Sequence, residues 1–204
     1  MSHTLSLLYL SPLVMATPVP LPPFTPQGVL PPYVGSPTQS NGMSPYKISL
    51  LEFAQRFSTS PQRIDILKGF MAHRGRLLSA GIKGFQWLDG SFVEDIESTE
   101  GRPPSDVDVV TFHGRSPAVM AQADWVAFFK ANLDVFDWRQ SKPKFKVDAY
   151  FVDFFGGPEY IVKMASFWCG LFSHRRGAGL WKGMIQVSLD GAEDAAVNQF
   201  LISI

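Results

Sequence analysis

The stretch QWLDGSFVEDIESTEGRPPSDVDVVTF, residues 86–112, decides how the chain is read. An apolar run ends in the small-residue turn Gly90-Ser91, a polar loop follows, and Asp106 and Asp108 then stand one residue apart beside a run of valines. Successive side chains of a strand point to opposite faces, so Asp106 and Asp108 share one face while Val107 and Val109 take the other. Two carboxylates side by side repel each other, and burying them unpaired costs several kcal/mol. Two arrangements resolve the conflict. In one, a divalent cation with oxygen ligands, Mg²⁺ above all, sits between them. In the other, Asp106 caps the strand and Asp108 bonds a nearby Arg or a backbone amide.

The turn ahead of the pair bears on that choice. Gly90 lets a backbone approach a ligand closely, and the turn's amides with the Ser91 hydroxyl suit a phosphate. Alone, a Gly-Ser pair is simply a turn; its position after an apolar strand and before an acidic one gives it weight. A third carboxylate is offered by KVDAYFVDF, residues 146–154, as either Asp148 or Asp153. Asp148 is the better candidate, on a strand face with Lys146, Tyr150 and Val152. Asp153 lies near the strand end, where turn and capping roles are common. SHRRGAGLWKG, residues 173–183, gathers His174, Arg175, Arg176 and Lys182 around two glycines. Arg175, Arg176 and Lys182 fit phosphate contacts, and equally fit solvated charges at the negative end of a helix. Trp181 is expected in the core, His113 at the surface, and Cys169 as a packed thiol on a helix.

Apolar residues make up 46% of the chain and aromatic residues 13%, which marks a globular domain and excludes a disordered chain. Basic and acidic residues balance at 18 each, so no global field points to nucleic acid or a membrane. A polyanion site must be local. The lone cysteine excludes an internal disulfide and fits a reducing, cytoplasmic setting. The opening MSHTLSLLYLSPLVMATP has no Lys or Arg ahead of its apolar stretch and is interrupted by Pro12, so it reads as a non-targeting tail. Residues 17–45 are dense in proline, which denies them helix and central strand. They read as an extended arm carrying Phe24, Val29, Leu30 and Tyr33 over the domain surface. The expected organisation is a tail and arm over residues 1–45 and a domain over 46–204.

Within that domain, Ser60-Pro61 opens a helix that Gly81 closes, with Ile64, Leu67, Met71, Leu77 and Leu78 along its buried stripe. Strands follow near Phe85–Leu88 and Val107–Phe112, then a helix over Ala118–Leu133 and a third strand in FKVDAYFVDF. A helix through PEYIVKMASFWCGLF, the basic glycine loop, a strand in MIQVSL and a short helix complete the chain. Helices and strands alternate irregularly, which predicts an α+β fold with a mixed sheet flanked by helices.

The order Gly90-Ser91, Asp106-x-Asp108 and Asp148 in an apolar strand resembles the nucleotidyltransferase superfamily typified by DNA polymerase beta. More closely, the chain from about Leu21 to Leu189 resembles a bacterial family catalogued only as a domain of unknown function. PPFTPQGVLPPY, SLLEFAQRF, GFQWLDGSF, DVDVVTF, VDAYFVDF and LFSHRRGAGLWKG carry that likeness. The superfamily resemblance implies two Mg²⁺ ions held by Asp106 and Asp108, with Asp148 completing one metal site and helping to deprotonate an attacking hydroxyl. It implies that Gly90 and Ser91 hold the terminal phosphates of a nucleoside triphosphate. The acceptor it leaves open as a protein side chain, a tRNA end or a small molecule. A family of this kind fits a toxin–antitoxin or phage-defence locus, which would supply a partner protein. The sequence departs from the pattern in the acidic loop between Ser91 and Asp106, with Glu94, Asp95, Glu97 and Glu100. That departure suits a second outcome, a module of the same fold that binds a nucleotide or a partner without turnover.

Overall fold

A computed structural model describes residues 20–204. Its centre is a mixed five-stranded sheet in the order β1-β7-β2-β3-β4, formed by β1 (Tyr46–Lys47), β2 (Gly84–Asp89), β3 (Val107–His113), β4 (Val147–Asp153) and β7 (Ile185–Leu189). β2 runs antiparallel to both β3 and β7, whereas β4 lies parallel to β3 and β1 parallel to β7. A separate two-stranded hairpin joins β5 (His174–Arg175) to β6 (Leu180–Trp181). The fold is α+β, as the irregular alternation of elements predicts.

One face of the sheet carries Leu88, Val107, Val109, Val147, Ala149, Ile185 and Val187. They pack on α1 (Leu50–Phe57), α2 (Pro61–Ser79) and α8 (Asp194–Ser203) through Phe53, Phe57, Leu67, Phe70 and Leu201. The other face carries Val110, Phe112 and Val152 beneath Trp168 and Phe172 of α7 (Pro158–Phe172). With both faces covered, β3 reads as an almost continuous apolar run, as strands buried on two sides do. This overturns the expectation for His113. It is 1% exposed, its ring against Trp125 and Phe151, because the far end of β3 is roofed rather than open.

The helix starts follow from their caps. Ser49 and Ser60 each accept a bond from the amide three residues on, and Pro61 occupies the first turn of α2. The buried face of α2 differs from the expected stripe: Ile66, Leu67, Phe70, Met71 and Leu77 share it with Arg63, His73 and Arg74, while Ile64 and Leu78 are half-buried. Those three polar residues obscure the periodicity, and each is buried against a partner. Arg74, for one, reaches Gln86 Oε1 at 2.7 Å, the Ser188 carbonyl at 2.9 Å and Asp194 Oδ2 at 2.9 Å. The single helix expected over 118–133 is instead a short 3-10 turn and α4 (Gln122–Ala131), with the Asn132 side chain bonding back to the Phe128 carbonyl at its end, and α5 (Leu133–Phe136) and α6 (Trp138–Phe145) follow where no helix was expected. The basic loop is not a loop throughout, since β5 and β6 pair within it.

The proline-rich arm docks on the domain. Val29 and Leu30 are fully buried, Leu30 within the main core, and Phe24 stacks edge-on against Phe57. Hydrogen bonds to its carbonyls fix its course: the Asp95 amide donates to Gly28, the Gly183 amide to Leu30, and the Tyr46 hydroxyl to Pro31. Residues 1–18, read above as a tail, lie outside the described residues. No helix among those described is long and apolar enough to cross a membrane.

Candidate functional site

Strand register builds the site. Asp89 pairs with Asp108 across β2 and β3, and Asp108 pairs with Asp148 across β3 and β4, so three aspartates stand in a row on three adjacent strands. All three point to the α7 face, in step with Trp87, Val110 and Tyr150 one pair further along. Asp106, immediately before β3, joins them at the open end of the sheet. They line a cleft of about 330 Å³ walled by Gly90, Ser91, Glu94, Glu100, Lys142, Leu171, Phe172, His174, Arg175, Arg176 and Lys182. Of the residues that the sequence nominated for the site, all but the alternative carboxylate Asp153 lie on this one cleft.

The Gly90 turn is cut to fit its neighbour. Gly90 has φ +81°, and a Cβ placed there would fall 1.9 Å from Asp108 Oδ2. A side chain at this position and an Asp108 carboxylate in this place exclude each other. Asp108 forms no ion pair among the described residues. Burial, with Asp106 and Asp148 close by, pushes its pKa up to about 6, against the opposing pull of Arg176 and Lys182. The carboxylate is short of positive charge.

Its neighbours are better supplied. Lys142, on α6, places its ammonium 2.6 Å from Asp106 Oδ2 and 3.3 Å from Asp148 Oδ2. Burial disfavours the ammonium, but these two carboxylates outweigh it and raise the Lys142 pKa. Asp148 Oδ1 remains buried without a hydrogen-bond partner. Beneath the turn, Lys182 is 3% exposed, its Nζ 3.0 Å from Asp89 Oδ1 and 2.7 Å from Glu94 Oε1. Burial lifts Asp89 to about 7, while Lys182 keeps its proton because two carboxylates outweigh its own desolvation.

The acidic loop is absorbed by structure. Glu94 bonds Lys182 and sits 3.3 Å from Arg175, Glu100 pairs with Arg102 and Arg175, and Glu97 takes Arg63. Its three glutamates are therefore each neutralised by cations of their own. The same pairs decide which cations remain available in the cleft. Lys182 and Arg175 are committed to the loop, whereas Arg176 is exposed and forms no ion pair among the described residues. Asp153 is also committed, 2.7 Å from Arg115 and capping the Phe155 amide at 2.9 Å. Asp148, not Asp153, lies on the cleft. Lys146, expected beside Asp148 on a strand face, instead ends α6 in the left-handed region and pairs with Asp65. Trp181 is 60% exposed rather than core, edge-on to His174.

Two residues escaped the sequence reading. Asp89 was legible, because Phe85, Trp87 and Asp89 alternate onto the face that carries Asp108. Lys142 was not: SKPKF has no helical periodicity, Pro143 argues against a helix, and nothing local ties the lysine to Asp106.

As to metal, no three His, Cys, Asp or Glu side chains among the described residues converge as a ready cage. Mg²⁺ is ordinarily held by one or two carboxylates with water and phosphate oxygens completing its shell. The donor chemistry of Asp106 and Asp108 fits such an ion, and the elevated pKa of Asp108 marks where positive charge is wanted.

No curated protein and no solved structure matches the chain. One family model matches residues 22–188, which span the arm, the whole acid row and the basic hairpin. The chain therefore belongs to the family of unknown function DUF6932.

Proposed function

We propose that the protein is a metal-dependent nucleotidyltransferase, moving a nucleoside monophosphate from a nucleoside triphosphate to a hydroxyl acceptor. The observation that carries this reading is that Asp106, Asp108 and Asp148 line one cleft with the Gly90 turn at one end of the sheet. Asp106 and Asp108 would hold Mg²⁺, which when bound would neutralise phosphate oxygens in the transition state. Gly90 and Ser91 flank the position of the terminal phosphates, and Arg176 supplies an uncommitted guanidinium. The acceptor oxygen attacks the α-phosphorus, the bond to the bridging oxygen breaks, and pyrophosphate leaves with that electron pair. Asp148 helps take the hydroxyl proton. The protein's contribution is position and charge. The acceptor is a protein side chain, a tRNA end or a small molecule, and a partner protein from a defence locus fits this reading.

The second reading is a nucleotide- or partner-binding module without turnover. The Lys142 ammonium inside the acid cluster is the observation that favours it, since a resident cation lessens the need for metal. One set of measurements separates the two. Thermal melts of the wild type and of the D106N/D108N double variant, each with Mg²⁺ and nucleoside triphosphates, report binding. Transfer of an α-labelled phosphate reports chemistry. The enzyme gives a metal-dependent shift and transfer, both lost in the double variant. A shift without transfer supports the module, and no shift in the wild type overturns both.

A further inference from the structure

We infer that Lys142 stands in for one of the two expected metal ions, so that the site takes a single divalent cation on Asp106 and Asp108. This deepens the nucleotidyltransferase reading and rests on it. The ammonium lies between Asp106 and Asp148, the pair that would otherwise share a cation with oxygen ligands, and it touches both. Three carboxylates less one ammonium leave a charge of −2 in the cluster, which one divalent ion balances. Asp108 is the member that pairs with no cation among the described residues, so the divalent ion belongs on its side.

The fold fixes the backbone that carries Lys142, and the two carboxylates hold its half-exposed side chain. α6 ends one residue before β4, and the buried Ser141 hydroxyl donates to the Val147 carbonyl at 3.0 Å. Gly69 of α2 lies so close under α6 that a Cβ would meet the Phe145 carbonyl oxygen at 2.1 Å. Between these two contacts the backbone that carries Lys142 has no room to slide. An ammonium is a compact, fixed unit charge that needs no ligand exchange, and it can neutralise a phosphate oxygen as one face of a metal would.

The test counts metal. Mn²⁺ bound per chain is measured by equilibrium dialysis with a non-hydrolysable ATP analogue, for the wild type, Lys142→Ala and Lys142→Arg. One ion is expected in the wild type and in Lys142→Arg, and two in Lys142→Ala. Two ions in the wild type would show that Lys142 yields to the second metal and would overturn the inference while leaving the metal-dependent reading intact. One ion in all three proteins overturns it also, since Lys142 then holds no metal position. No Mn²⁺ in the wild type overturns both readings. A variant that fails to fold leaves the wild type decisive: its Mn²⁺ spectrum shows an isolated ion, and Mn–Mn coupling would refute the single-ion site.

Discussion

Asp108 concentrates the electrostatic tension of this molecule in one side chain. Its pKa rises from 3.8 to about 6 through burial and the proximity of Asp106 and Asp148. The folded state thus binds this proton more tightly than the unfolded chain does. The resulting stabilisation is complete below pH about 3.8 and is lost as pH rises through about 6. At pH 7.5 without metal the ionised carboxylate costs about 1–3 kcal/mol. Asp108→Asn keeps the shape that the Gly90 turn accommodates and removes the charge. Urea denaturation in EDTA should show the variant more stable than the wild type at pH 7.5, by that amount, and equal to it below pH 4. Adding Mg²⁺ should reverse the order at pH 7.5. A variant less stable than the wild type in EDTA would mean that the carboxylate has a partner and is no cation site.

At the scale of elements, the site depends on how the 91–100 loop is moored. Arg63, on α2, donates from Nη1 to the Phe92 carbonyl and from Nη2 to the Glu94 carbonyl, both at 2.6 Å, and grips Glu97 at 2.6 and 2.7 Å. Its side chain is 3% exposed. This one guanidinium fixes both the turn after Gly90 and the start of α3 (Ile96–Glu100). Its loss leaves the buried Phe92 and Glu94 carbonyls without a donor, which at about 1–3 kcal/mol for each comes to about 2–6 kcal/mol, while the one-third-exposed Glu97 turns to water. Arg63→Ala should lose that much by chemical denaturation, and Arg63→Lys should recover little, because an ammonium lacks the fork that reaches all the acceptors. Full rescue by lysine would reduce the role of Arg63 to simple charge.

The same residue explains how far the sequence could be read. Strands β2, β3, β4 and β7 announce themselves by apolar runs bounded by turns, and α1, α2 and α7 by caps and length. Strand alternation gives each aspartate its face, while the register that sets Asp89, Asp108 and Asp148 in a row is tertiary. What stayed hidden depends on pairings between distant parts of the chain: Arg63 with the acidic loop, Lys182 with Asp89, Lys142 with Asp106. Arg63 looks like a solvent-facing charge in the sequence because its acceptors are some thirty residues away, and Lys142 does because Asp106 is as distant and Asp148 lies beyond a helix end that the sequence does not announce. Pro143 hid α6, and the glycines of residues 177–179 hid the hairpin that they close. Local chemistry specifies elements, while the ion pairs that tune the site are tertiary facts.

For the molecule as a whole, the arm acts as a clamp across the two walls of the cleft. Gly28 accepts from Asp95 at the loop wall, and Leu30 accepts from Gly183 beside Lys182, both at 2.8 Å. Between these bonds Val29 and Leu30 are buried, Leu30 in the core shared by β1, β7 and α1. Gly183 is correspondingly constrained, since a Cβ there would lie 2.5 Å from the Pro31 carbonyl oxygen. An arm merely draped on the surface would contribute little, and truncating one of its side chains would shift stability by about 0.5 kcal/mol or less. A clamp behaves differently. Leu30→Ala opens a cavity in the main core and should cost about 2–5 kcal/mol, read by urea denaturation. It should also weaken Mn²⁺ binding, because the cavity loosens the arm segment whose backbone carbonyls moor the Asp95 loop and Gly183. Phe24→Ala provides the contrast: its ring packs on Phe57 and under Arg56, away from the cleft, so it should lower stability with metal affinity unchanged. Equal loss of metal affinity in both variants would show that the arm acts through global stability rather than as a clamp on the site.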